Sequence, residues 1–286
     1  MLLSRLLPPL ALPLVLVSAA PAPVGPPASL AYPWQSVAAA GSTPLAARFA
    51  PPPSCRRVPA TAGSWGEWLR GLPLKPAGTK ARLFNGQLKD RQDVVAAVVD
   101  IDVPPQDLQQ CADAVIRLRA EYGFSQDPNK VHFHLTTGYD FWFSDFVAGR
   151  TFRVVGAEVL PATRPAEAPT HAALARYLVP TFGYAGTRSL SRELRPVPLA
   201  QVQPGDVLIH GGAPGHAVLV VDVAEHPATH QKFMLLAQSY MPAQSIHVLR
   251  NTGAPGLGAW FAVSPTEATV STPEWDFSSN ELKRFE

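Results

Sequence analysis

Ala217 to Val223 is apolar except for Asp222, a pattern suited to a strand in the middle of a sheet. Val207-Leu208-Ile209 precedes it as a shorter apolar run opened by the turn Pro204-Gly205-Asp206. Gly211-Gly212 and Pro214-Gly215 then form a tight connection that delivers His216 to the start of the second strand. From Lys232 to Tyr240 the chain alternates, with Met234, Leu236, Gln238 and Tyr240 on one face and Phe233, Leu235, Ala237 and Ser239 on the other. Gln238 is a polar residue in a buried row, so it needs a partner.

A different period governs Asp107 to Tyr122. Leu108, Cys111, Val115, Leu118 and Tyr122 recur at spacings of three and four, which predicts a helix with Cys111 facing inward and Arg117, Arg119 and Glu121 on the surface. Pro104-Pro105 places its start nearby, with Cys111 in the first or second turn. A sulfur that lines a cleft there has its pKa lowered by the helix dipole. Further helices are predicted from Ser64 as a cap, over Thr170 to Leu178 and over Ser189 to Leu194. Asn85-Gly86 marks a hairpin turn, and Val94 to Ile101 and Val131 to Leu135 read as strands. The sum is an α+β fold, an antiparallel sheet packed on a cysteine-bearing helix.

Composition divides the 286 residues into three parts. Arg5, the apolar run Leu6 to Val17 and Val17-Ser18-Ala19 read as a signal peptide over residues 1–19. Residues 20–57 are rich in Pro and Ala and read as an extended linker, leaving 58–286 as a single domain. The chain is expected to be exported, periplasmic or extracellular, as a monomer with no stable membrane insertion after cleavage. Its net charge of +2, with scattered Lys and Arg, argues against a nucleic-acid partner.

Candidate chemistry centres on Cys111, His216 and Gln238. A thiolate attacks a carbonyl, an imidazole takes and returns the proton, and an amide fixes the ring tautomer. His210 is a rival base; Asp222, Ser239 and Gln244 are rivals for the third position; Asp206 is read as a turn residue and Asp113 as a surface or helix-start charge. Cys55 and Cys111 are the only cysteines, so a disulfide between them is the competing structural use, and a simple buried Cys111 is another. His132 and His134 share a strand face, but two ligands do not make a site, so no metal or other cofactor is expected. A metal-dependent hydrolase would need His132, His134 and His210 or His216. The aromatic run Tyr139 to Phe146 would serve as the ligand surface of a non-catalytic binding module.

The order of helix-borne cysteine, strand-borne histidine and polar residue on the next strand resembles the papain-like superfamily, especially the NlpC/P60 and CHAP amidases of bacterial envelopes. Pro204-Gly205-Asp206 and His216-Ala217-Val218 carry the local likeness. The resemblance implies a papain-like fold and a cysteine amidase or peptidase acting on peptidoglycan, cell-wall peptide or another peptide substrate. In those amidases the cysteine opens its helix, and Gln109-Gln110-Cys111-Ala112-Asp113 is the stretch compared with that start. A closer resemblance spans Val58 to Phe285. Gly66-Glu67-Trp68-Leu69-Arg70-Gly71-Leu72-Pro73-Leu74-Lys75, Asn85-Gly86-Gln87, the run from Asp107 to Arg119, Tyr184-Ala185-Gly186-Thr187, Gln203 to Val223 and the run from Ala237 to Gln244 together look like the secreted bacterial family known as domain of unknown function 4846. That family brings no activity with it.

Overall fold

The computed structural model describes residues 32–35 and 41–286, so the expected signal peptide lies outside the described residues. Mixed helix and sheet make an α+β architecture, as the two periodicities predict. Among the described residues the principal sheet has nine strands, and every pairing in it is antiparallel. Its main path runs Val95–Val98, His247–Leu249, Lys232–Gln238, His216–Glu225, Val207–His210, Leu282–Arg284 and Arg195–Pro196. Trp260–Ala262 and Arg56–Arg57 pair off that path.

Both faces of the sheet are covered, which explains why an antiparallel strand is apolar almost throughout. Ile209, Ala217, Leu219, Leu235 and Val248 join Val115, Leu118 and Tyr177 in the larger core, under the helices. Leu208, Val218, Val220, Met234 and Leu236 meet Phe261, Phe277 and Leu282 on the other side. Asp222, inside the apolar run, is fully buried between Arg57 Nε at 2.6 Å and Arg70 Nε at 2.7 Å. It is a structural ion pair, not a partner for His216.

Three expectations shift. The predicted linker ends early: Leu45 is fully buried in a short helix, Leu45–Arg48, and Arg57 reaches Asp222. The helix expected over Asp107 to Tyr122 runs instead over Cys111–Gln126, because the Asp113 carboxylate accepts the Gln110 N–H at 3.0 Å and caps the start there. Asp107, left outside, accepts the Ala243 N–H at 2.6 Å. Arg117 and Glu121, expected on the surface, are buried at 3 % and 0 % exposure. Arg117 donates to Glu121 Oε1 at 2.8 Å, to Gln109 Oε1 at 3.0 Å and to Asp102 Oδ1 at 2.7 Å, and His171 Nε2 lies 2.9 Å from Glu121. This network pins the 102–110 loop to the body of the helix, so it also fixes where the helix starts.

The aromatic run is core rather than an open ligand surface. Phe141, Phe143 and Phe146 are buried around Tyr177, whose ring stacks on Phe141 at 4.7 Å.

Candidate active site

Cys111 is the first residue of its helix, at the end where unpaired N–H groups converge. It is 8 % exposed, and both it and Cys55 are free thiols, so the competing disulfide is not formed. The backbone N–H of Ala217, the residue after His216, faces the sulfur, as do the N–H groups of Ala112 and Cys111 itself. Burial nevertheless outweighs these donors and pushes the thiol above its ordinary value. The lowered thiol pKa expected at a helix start is therefore not what the site has.

His216 opens its strand because the preceding turn admits only glycine at key points. A Cβ on Gly215 would sit 2.5 Å from Thr187 Oγ1 and 2.6 Å from Gly212 O, and one on Gly212 would sit 2.6 Å from Pro214 O. The ring is buried at 2 % exposure, with Trp275 at 5.4 Å, Phe277 at 5.9 Å and Tyr240 at 5.0 Å between centroids. Strand alternation puts it on the Val218 face, whereas the Cys111 helix underlies the other face. Tyr240 neighbours both, with its ring 5.0 Å from the imidazole between centroids, and no hydrogen bond joins the sulfur to the imidazole.

Gln238 supplies the partner its buried position requires. His216 Nε2 lies 2.9 Å from Gln238 Oε1, Gln238 Nε2 donates to Glu274 Oε2 at 2.7 Å, and Lys89 Nζ holds Glu274 Oε1 at 2.6 Å. A carboxylate paired with an ammonium can only accept, so the amide must turn its NH2 to Glu274 and its oxygen to the ring. His216 then carries its proton on Nε2, leaving the Nδ1 lone pair free. Burial lowers the imidazole's pKa below 6.5, against the opposing pull of Gln238. At neutral pH the thiol and the imidazole are therefore both neutral.

Lys89 and Glu274 were not found by sequence reasoning, although a signal existed. A buried amide has two ends, so Gln238 called for a second partner besides the histidine. An open concavity of about 570 Å³ adjoins this network, lined by Arg91, Tyr240, Pro273, Glu274 and Trp275.

The rival residues are engaged elsewhere. His210 pairs with Glu281 at 2.6 Å, and Asp206 is bound by Arg284 at 2.5 Å and by the Gln203 N–H at 2.9 Å, as a turn residue. Ser239 Oγ lies 2.8 Å from Gln109 O and 2.9 Å from Gln244 O, tying the loop before Cys111 to the strand end. Asp113 is at the helix start, buried rather than on the surface, and burial pushes its carboxyl well above the usual carboxylate range. His132 and His134 do stand together, but neither His210 nor His216 joins them.

A family model matches residues 45–284, most of the chain. The chain belongs to the family described as Domain of unknown function (4846). The match begins upstream of Val58, in keeping with the packed segment around Leu45. No curated protein and no solved structure matches the chain.

Proposed function

We propose that this member of the family is an exported cysteine amidase or peptidase of papain-like type, acting on cell-wall peptide or a related amide. The observation that carries the reading is the meeting of Cys111, at a helix start, with the Ala217 N–H beside His216, whose ring is held by Gln238. The NlpC/P60 and CHAP resemblance of Pro204-Gly205-Asp206 and His216-Ala217-Val218 supports it.

Cys111 is the nucleophile. As sulfur bonds to the carbonyl carbon, its proton passes to His216 Nδ1, and the unpaired N–H groups at the helix start face the oxygen that gains charge. His216 returns the proton to the leaving amine as the C–N bond breaks, giving a thioester. Water, deprotonated by the same nitrogen, then cleaves the thioester and restores the thiol. Gln238 and, through it, Glu274 position the ring.

The test is release of new amines and carboxylates from purified muropeptides. Cys111→Ala and His216→Ala are each expected to lower turnover by about a thousandfold or more. Turnover undiminished in Cys111→Ala overturns the reading. The buried thiol and the missing sulfur–imidazole bond favour a second reading, a non-catalytic envelope-binding module of the same fold. That reading expects retention on peptidoglycan that Cys111→Ala leaves unchanged, with no product from the parent chain.

A further inference from the structure

The strands His132–His134 and Asp140–Trp142 pair antiparallel, with His134 opposite Asp140 and His132 opposite Trp142. The period of two sends all four side chains to one face while Phe133 and Phe141 enter the core. His132 Nδ1 lies 2.7 Å from Asp140 Oδ1, and His134 Nε2 lies 4.0 Å from the same oxygen. One ligand atom from each of the three residues falls within 4.8 Å of the other two.

Two imidazole nitrogens and one carboxylate oxygen are a donor set of borderline hardness, suited to zinc and its first-row neighbours. Metal–ligand bonds of about 2.1 Å in a tetrahedron put donors about 3.4 Å apart, so the 2.7 Å separation needs to open by about 0.7 Å and the 4.0 Å separation to close by about 0.6 Å. The surroundings are built as well. Glu193 Oε2 accepts the His134 backbone N–H at 3.2 Å and stands 3.4 Å from His134 Nδ1, a buried nitrogen with no hydrogen-bond partner, while Nε2 lies toward Asp140. Trp142 Nε1 donates to Asp140 Oδ2 at 2.7 Å and its indole stacks on His132 at 4.0 Å, leaving Oδ1 to face the histidines. A carboxylate behind one ligand and a donor behind another are the outer contacts that hold metal ligands in place.

We propose that His132, His134 and Asp140 bind a divalent cation of the zinc class, with Glu193 and Trp142 orienting the ligands. Three protein ligands leave one tetrahedral position open. Both histidines and Glu193 line a concavity of about 420 Å³ together with Arg119, Lys130, Arg192 and Glu286, which gives a further ligand access to the open position. This centre shares no residue with the cysteine site and stands whether or not that site is catalytic.

The test is titration of chelator-stripped Cys55→Ser/Cys111→Ser chain, purified without a histidine tag, with zinc chloride by calorimetry and with cobalt chloride by visible spectroscopy. One equivalent per chain is expected, and zinc is expected to shift the imidazole NMR signals of His132 and His134. His134→Ala and Asp140→Ala should weaken binding more than about 100-fold, and Glu193→Gln about 10-fold. No stoichiometric uptake, uptake unchanged in His134→Ala, or zinc that leaves both imidazole signals in place overturns the proposal. The NMR readout, repeated on the parent chain kept reduced, needs no folded variant.

Discussion

His216 and His132 both face a side-chain oxygen, but in opposite surroundings. His216 is 2 % exposed, meets an amide, and sits at the end of a chain of contacts that terminates in the ion pair of Lys89 and Glu274. His132 and Asp140 have about a third of their side-chain surface in solvent, and they meet directly. A buried imidazole beside a carboxylate would be drawn to the charged form, whereas an amide lets it stay neutral while still fixing its tautomer. The buried centre is thus built to hold one protonation state, and the exposed one to gather donors.

Removing a charge should separate the two most sharply. Lys89→Met leaves the Glu274 carboxylate buried without its ammonium, at 8 % side-chain exposure, and is expected to cost about 3–5 kcal/mol of folding stability in urea titrations. Asp140→Asn disturbs a half-exposed pair and should cost less than about 1 kcal/mol. Equal losses at the two sites would erase the distinction.

Acid should act on the buried side next. His247, opposite Gln238 in the sheet, is wholly buried with Nε2 unpartnered and Nδ1 2.9 Å from Ser245 O, and burial takes its pKa down to about 4. The unfolded chain binds a proton below about 6.5 that the folded chain refuses until about 4. Stability is therefore complete above pH 6.5 and falls as pH drops toward 4, by about 3 kcal/mol for this residue. His216, lowered in the same direction, adds to the slope. Urea unfolding at a series of pH values measures it, and a flat profile over that window would contradict the burial argument.

The same contrast explains what the sequence disclosed. Period-two and period-three-to-four patterns are local, so the Lys232–Gln238 strand and the Cys111 helix could be read directly, and Gln238 was conspicuous as a polar residue in an apolar row. Partners brought from 36 and 149 residues away, Glu274 and Lys89, leave no local trace. At the exposed centre the missing ligand was near: Asp140 lies eight residues from His132, across a hairpin, but it is embedded in an aromatic run that masked the strand carrying it. The helix starts later than its apolar spacing predicts for a related reason. The apolar spacing continues back to Leu108, but the carboxylate that ends the loop is Asp113, three residues inside the helix from Gln110.

The smallest expected effect tests the tautomer. Glu274→Gln keeps the shape of the side chain but supplies both a donor and an acceptor, so the Gln238 amide is no longer obliged to turn its oxygen to His216. Nε2 would then donate in one amide orientation and accept in the other, and the free energy separating them is that of a single hydrogen bond, about 1 kcal/mol. In the parent chain, nitrogen NMR of His216 should show one neutral form, protonated at Nε2, down to below pH 6.5. In Glu274→Gln it should show a mixture, and any turnover should fall up to about tenfold with KM unchanged, because the base is mispositioned rather than removed. A parent spectrum with the proton on Nδ1 would overturn the assignment: the lone pair would point to Gln238, and the nitrogen proposed to take the Cys111 proton would already carry one.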